Sequence, residues 1–441
     1  MKDKISNTKG LSLFMVCLLA VTLVAMMACK DPLEVENPNS LVEEDLSLPT
    51  AAVALANGAQ VTLARAAGSM YGPYTTATDE GTWIGSRDAW NNLNKGDMGD
   101  PNNEFVDAAW PFATEARFMA DFAIDKLVTL KAAGDLDDPE HLAASYLYAA
   151  IIRTMVADMW DDFVISNRTD SQPAIGEDNM FQLYEQAIDF CTSGLAITSD
   201  AENRARLTAM RARAKNARAI WDMVNPRGAQ PPANAFVDAG RDDAEAALGM
   251  VAADWKYQLN YSAATPGNDY SFQVNGRLEL GLVADPTLQV RPEFHVPLLD
   301  PVDGVSDPRI LAAIAQFRDV AGNGGQSFAP FTVVTEREMQ VIIAESDIAR
   351  GNAGAARAVM DALRARDGLS PVPAGREGEL LQHERRAHLF LMGRRLADMY
   401  RFGVKSPDWL PNFEAAQSPG SFFAITRSEI ESNPFVDFTS R

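Results

Sequence analysis

Glu384-Arg385-Arg386-Ala387-His388-Leu389-Phe390-Leu391-Met392-Gly393-Arg394-Arg395-Leu396-Ala397-Asp398-Met399 is the stretch on which the reading of this chain turns. Apolar residues recur through it at three-to-four spacing, and the surrounding pattern predicts one long helix over Gly378–Phe402. Four arginines, Arg385, Arg386, Arg394 and Arg395, are too many cations for an apolar packing face unless each has an anion. Glu384 and Asp398 are the nearest candidates, and buried arginine–carboxylate pairs of this kind fix the register of a helix. The stretch therefore reads as structural and not as a ligand site.

It also contains a false lead. His383-Glu384-Arg385-Arg386-Ala387-His388 resembles a zinc-protease motif, but the second histidine comes five residues on instead of four. At about 100° per residue it lies roughly 140° round the helix, so the two imidazoles cannot share a metal from one face. The other two histidines, His141 and His295, have no ligand-spaced partner. No phosphate-cradling glycine loop or nucleophile elbow is present, and no metal or cofactor is expected.

Working outward, helix dominates. Thr50–Ala67, Asn103–Ala132, Glu140–Phe163, Asn179–Ile197 and Glu202–Val224 are amphipathic. Glu336–Arg350, a turn at Gly351-Asn352 and Ala353–Asp367 predict a helical hairpin. Residues 71–102 lack helical periodicity, and residues 226–305 read as a loop-rich insert with short strands, among them Ser271–Val274 and Gln289–Val296. The expected class is mainly α: a tetratricopeptide-like helical-hairpin scaffold with loop-rich inserts and a few short strands. The acidic clusters Asp135/Asp137/Asp138, Asp158/Asp161/Asp162 and Asp300/Asp303/Asp307 lack calcium-loop spacing and read as solvated turns and helix caps.

The amino terminus sets the compartment. Lys2, Lys4 and Lys9 precede an uncharged run of about 18 residues, Leu11–Ala28, which stops at Cys29 before acidic sequence. This resembles a bacterial lipoprotein signal, in which residues 1–28 are removed and Cys29 is lipidated. Losing Lys2, Lys4, Lys9 and Asp3 takes the net charge from −21 to −23, which disfavours nucleic acid. Of three cysteines only Cys191 would remain free, inside an apolar helical pattern, so no intramolecular disulfide is available.

One segment invites a ligand. Trp83 and Trp90 stand with Asp79, Glu80, Arg87 and Asn91 in the non-helical stretch that also holds Tyr71 and Tyr74. Flat rings beside directional hydrogen-bonding groups suit a sugar or peptide. The competing reading is that these rings plug the loop onto the helices; Trp110, Trp160 and Trp221 lie in helical patterns and read as core.

Further stretches, in order, carry a family likeness. Asp31-Pro32-Leu33-Glu34-Val35-Glu36-Asn37-Pro38 follows the cysteine. Then come Asp307-Pro308-Arg309 and Glu345-Ser346-Asp347-Ile348-Ala349-Arg350-Gly351-Asn352 with the Ala356–Arg366 helix. The Glu384–Met399 stretch and the closing Ile425-Thr426-Arg427-Ser428-Glu429-Ile430-Glu431-Ser432-Asn433-Pro434 complete the series. Together these resemble the SusD/RagB family of outer-membrane nutrient-binding lipoproteins. The resemblance implies residues 29–441 as one SusD-like domain behind the signal peptide, lipid-anchored in the outer membrane and facing outside. It implies capture of an oligosaccharide or peptide, delivery to a SusC-like TonB-dependent transporter, and no chemistry of its own. A surface-anchored glycan hydrolase and a helical-repeat scaffold that binds only protein partners are the alternatives.

Overall fold

Side-chain caps explain where the long helices start. Asn103 accepts the N–H groups of Phe105 and Val106 at 3.1 and 3.4 Å and opens α3 (Glu104–Ala133), which ends where Gly134 turns left-handed at φ +81°. Asp200 accepts the Asn203 N–H at 2.7 Å ahead of α6 (Ala201–Val224), and Thr335 accepts Glu338 N–H at 2.9 Å ahead of α10 (Glu336–Ala349). The computed structural model describes residues 45–437 apart from 168, 230, 233, 289–296 and 319–325. The signal segment, Cys29, the leader 31–38 and the alternating stretch 289–296 lie outside the described residues. The elements below belong to the unit Leu48–Arg441.

The remaining helices are α1 (Ala52–Thr76), α2 (Asp88–Asn94), α4 (Glu140–Met159), α5 (Phe181–Leu195), α7 (Arg241–Leu248), α8 (Asp269–Asn275), α9 (Pro308–Arg318), α11 (Ala353–Arg366), α12 (Glu377–His388) and α13 (Arg395–Arg401), with two short turns of helix after residue 413. Neighbours in sequence pack on one another: α3 on α4, α4 on α5, α5 on α6, α10 on α11, while α1 lies along α3. This is the mainly α hairpin scaffold that the periodicity predicts. Its carboxy-terminal half closes around Val341, Ala344, Ala356, Met360, Leu363, Leu380 and Leu381, all fully buried, each worth on the order of 1–3 kcal/mol of transfer free energy. Two ribbons complete it. β1 (Gly81–Trp83) pairs antiparallel with β3 (Leu280–Leu282), and β2 (Lys256–Leu259) with β4 (Phe331–Thr335), the latter bulged between Tyr257 and Gln258.

Three expectations are corrected. First, α1 runs through Gly68, Gly72 and Pro73 to Thr76, so Tyr71 and Tyr74 are helical. The glycines are contact residues, not breakers: a Cβ on Gly68 would meet Asn268 Cα at 3.0 Å, and one on Gly72 the Trp90 ring at 3.2 Å. Secondly, Ser271–Val274 lies in α8, opened by the Asn268 side chain accepting Ser271 N–H at 3.1 Å, and α7 is a further helix inside 226–305. Thirdly, 378–402 is two helices. The chain leaves helical geometry between His388 and Arg395, with Leu391 at φ +62° and Gly393 at φ +77°.

Candidate functional site

The arginines of the opening stretch find their anions far away in sequence. Arg385 donates to Asp398 at 2.9 Å and to Glu345 at 2.7 Å; Arg401 also pairs with both carboxylates. Arg394 holds Glu338 with two donors at 2.9 and 3.0 Å. Arg395 grips Asp79 bidentately at 2.6 and 2.8 Å, and Arg386 reaches the same carboxylate at 2.9 Å. Glu384 serves none of the four: it accepts from Arg364 at 2.8 Å and pairs with Arg309. Most of these groups are buried, with Arg386 and Arg394 partly so, and the pairing is what makes their burial tolerable.

This corrects the acidic clusters too. Asp300 and Asp307 lie inside the network, bound by Arg364 at 2.8 and 2.9 Å and by Arg309 at 2.7 and 2.9 Å. With His383, whose Nε2 is 2.8 Å from Asp307, they bring ligand-type atoms within 4.8 Å of one another. The geometry would suit a cation, but two guanidiniums already saturate the carboxylates and repel one. His388 turns instead to Glu384, at 3.3 Å. Asp161 and Asp162 are likewise packed away, and burial pushes their carboxyls up to about 8 and about 6. Asp158 accepts the Tyr184 hydroxyl at 2.9 Å and pairs with Arg213. Only the Asp135/Asp137/Asp138 turn is the solvated one expected, with Asp138 capping Glu140 N–H at 2.9 Å.

The six residues singled out around the tryptophans are divided by the fold. Asp79 is the anchor just described: burial alone would raise its carboxyl, but the Arg395 hydrogen bond and charge, with Arg386, hold it below the usual range. Glu80 is 1% exposed, and burial pushes its carboxyl up to about 8 against the opposing charge of Arg395. Trp83 stands half-buried on β1, its backbone N–H donating to the Asn94 side-chain oxygen at 3.2 Å. Asn91 is half-buried on α2. Trp90 is 1% exposed and stacks on Phe105 at 3.7 Å between centroids, 12° from parallel. Arg87 lies over Phe105 at 5.5 Å, next to the face of the stack.

Trp90 and Phe105 form part of one wall of an open cleft of about 610 Å³ between α1, α2, α3 and the 266–269 turn. Arg65, Ser69 and Pro73 come from α1, Phe112 from α3, and Asp269 from the start of α8. Its size suits a ligand of a few sugar rings or residues. Arg65 rests on the Phe112 ring at 4.2 Å, and its guanidinium stops 3.9 Å short of Glu115. Burial raises the Asp269 carboxyl, with Gln273, Arg277 and Arg87 opposing. Arg87 is fixed from behind: Glu279 accepts the N–H groups of Ser86 and Arg87 at 2.9 and 3.3 Å, while its carbonyl takes Ile84 and Gly85. Sequence reasoning missed Arg65, Phe105, Phe112 and Asp269. Arg65 did leave a signal, as the lone charge in the whole of α1.

No family model and no curated protein matches the chain. Solved structures do. A SusD superfamily protein from Bacteroides fragilis aligns at a TM-score of 0.64 and 12% identity, over 88% of this chain and 99% of that one. A SusD superfamily protein from Bacteroides thetaiotaomicron aligns at 0.61 and 12%, over 88% and 99%. A SusD-like carbohydrate binding protein from Bacteroides vulgatus aligns at 0.60 and 12%, over 89% and 98%. The fold is that of the SusD superfamily, the family to which the sequence motifs bear their likeness.

Proposed function

We propose that this protein captures an oligosaccharide nutrient at the outer face of the outer membrane, held there by lipid on Cys29, and passes it to a SusC-like TonB-dependent transporter without transforming it. What carries the reading is the extent of the likeness: nearly the full length of a protein described as carbohydrate-binding overlays this chain, with an open aromatic cleft in it. The signal-like amino terminus supports the anchor. No helix among the described residues is long and apolar enough to cross a membrane.

The site we assign centres on the cleft. Trp90, with Phe105, supplies the apolar wall, and Arg87, over the Phe105 ring beside the cleft, the directional donors. Trp83 and Asn91, on the ribbon and helix alongside, reach the ligand from the rim. Asp79 and Glu80 act from behind, by fixing β1 against the Arg386–Arg395 region. Calorimetry of the detergent-extracted protein against oligosaccharide and peptide panels tests this. An oligosaccharide should bind without product forming, and Trp83→Ala should weaken it about tenfold or more. Peptide binding alone, or turnover of the sugar, would replace the reading. Intact mass should show loss of residues 1–28 plus acyl groups on Cys29.

A further inference from the structure

The cleft does not present a bare ring to a sugar. One face of Phe105 carries Trp90 and Arg87 lies over the ring, while Phe112 carries Arg65. Phe105 and Phe112 thus each back a guanidinium and orient it through cation–π contact. Each has an acidic neighbour, but at a distance that leaves it unspent: Arg65 stands 3.9 Å from Glu115 and Arg87 3.7 Å from Glu104, beyond hydrogen-bonding range. All four side chains are between 43% and 56% exposed, so solvent screens these pairs heavily. The arginines thus keep donors for an oxyanion in a fork geometry that a carboxylate or sulfate matches.

We infer that, within the binding role proposed above, the cleft selects acidic oligosaccharides, gripping uronate or sulfate groups with Arg65 and Arg87. Two features favour the choice. Arg65 is the single charge on a 25-residue helix and lines the cleft, while the rest of that helix is uncharged. Asp269, the carboxyl lining the cleft, accepts from the Gln273 amide at 3.2 and 3.3 Å and lies near Arg277 and Arg87, whose charges offset its own. On a chain of net charge −21, an anionic ligand must be held by such local donors, because the long-range field opposes it.

The test uses the full chain extracted in detergent and three tetrasaccharides of matched length: oligogalacturonate, sulfated galactan and unsulfated galactan. One or both acidic sugars should bind at least ten times tighter than the neutral one, and their ratio tells carboxylate from sulfate. Arg65→Gln and Arg87→Gln should each cut acidic binding about tenfold or more, with thermal unfolding unchanged. Equal affinity for the neutral tetrasaccharide, or acidic binding indifferent to both variants, overturns the inference yet leaves an oligosaccharide-binding protein. Failure of every sugar, alongside binding in the peptide panel, overturns the inference and the oligosaccharide reading together.

Discussion

Arginine does two different jobs in two parts of this molecule. In the interior around α10–α13, Arg364, Arg385, Arg394 and Arg395 are buried or nearly so and hold carboxylates at 2.6–3.0 Å, usually with more than one donor. At the cleft, Arg65 and Arg87 lie on rings and stop 3.7–3.9 Å short of their acidic neighbours. The first arrangement uses up the donors, and its rigidity follows from the cost of ever unpairing a buried charge. The second leaves donors oriented but unspent, which is the condition for binding something else. Distance and burial, not residue type, separate scaffold from site.

The comparison breaks most easily at Glu384. Glu384→Ala would leave Arg364 and Arg309 without the carboxylate that binds both, and should destabilise the fold by about 3–5 kcal/mol. Chemical denaturation measures this. A loss below about 1 kcal/mol would mean that the interior pairs relax as freely as surface ones.

An effect of similar size and opposite sign comes from Glu80. Its ordinary value is 4.5 and burial lifts it to about 8 in the folded protein. Below pH 4.5 both states hold the proton and nothing is lost. Between there and about pH 8 the unfolded chain releases the proton while the folded one keeps it, so stability falls as pH rises, and the penalty is then constant. Glu80→Gln should therefore raise the melting temperature at pH 8 and leave it nearly unchanged at pH 4.5. A flat difference across that range would show that Glu80 is ionised inside the fold.

The smallest expected effect sharpens the contrast from the other side. Arg65→Gln and Arg87→Gln should change stability by less than about 0.5 kcal/mol, because their pairs are exposed and loose. Differential scanning calorimetry at low salt is the stringent version of this measurement.

Much of the scaffold was legible because periodicity and caps are local. The helices that periodicity places from Asn103, Glu202 and Glu336 start within one residue of those positions. What sequence reading lost were positions where a residue's usual habit is overruled by a distant neighbour. The helix expected over Thr50–Ala67 runs on to Thr76, with Gly68 and Gly72 in close contact with Asn268 and Trp90. Leu391 is not a turn residue by habit, yet it takes a left-handed conformation and splits the predicted long helix. The partner of Arg395 lies 316 residues away, so Glu384 was the reasonable local choice and the wrong one. Of the tryptophans that the sequence reading singled out, Trp90 lies in the wall of the cleft. The groups facing the cleft from α1, α3 and α8 sit in ordinary helical sequence, and only the fold brings them together.

Gly393 carries a consequence for how such chains can diverge. Its φ is +77°, and a Cβ there would sit 2.2 Å from Cε1 of Tyr71 in α1, 322 positions earlier in sequence. Neither position can drift alone. Any descendant that acquires a side chain at 393 must first shrink position 71 and find another left-handed turn, so the two sites should vary as a pair or stay fixed. Two segments that share no sequence motif would in that way inherit a common history.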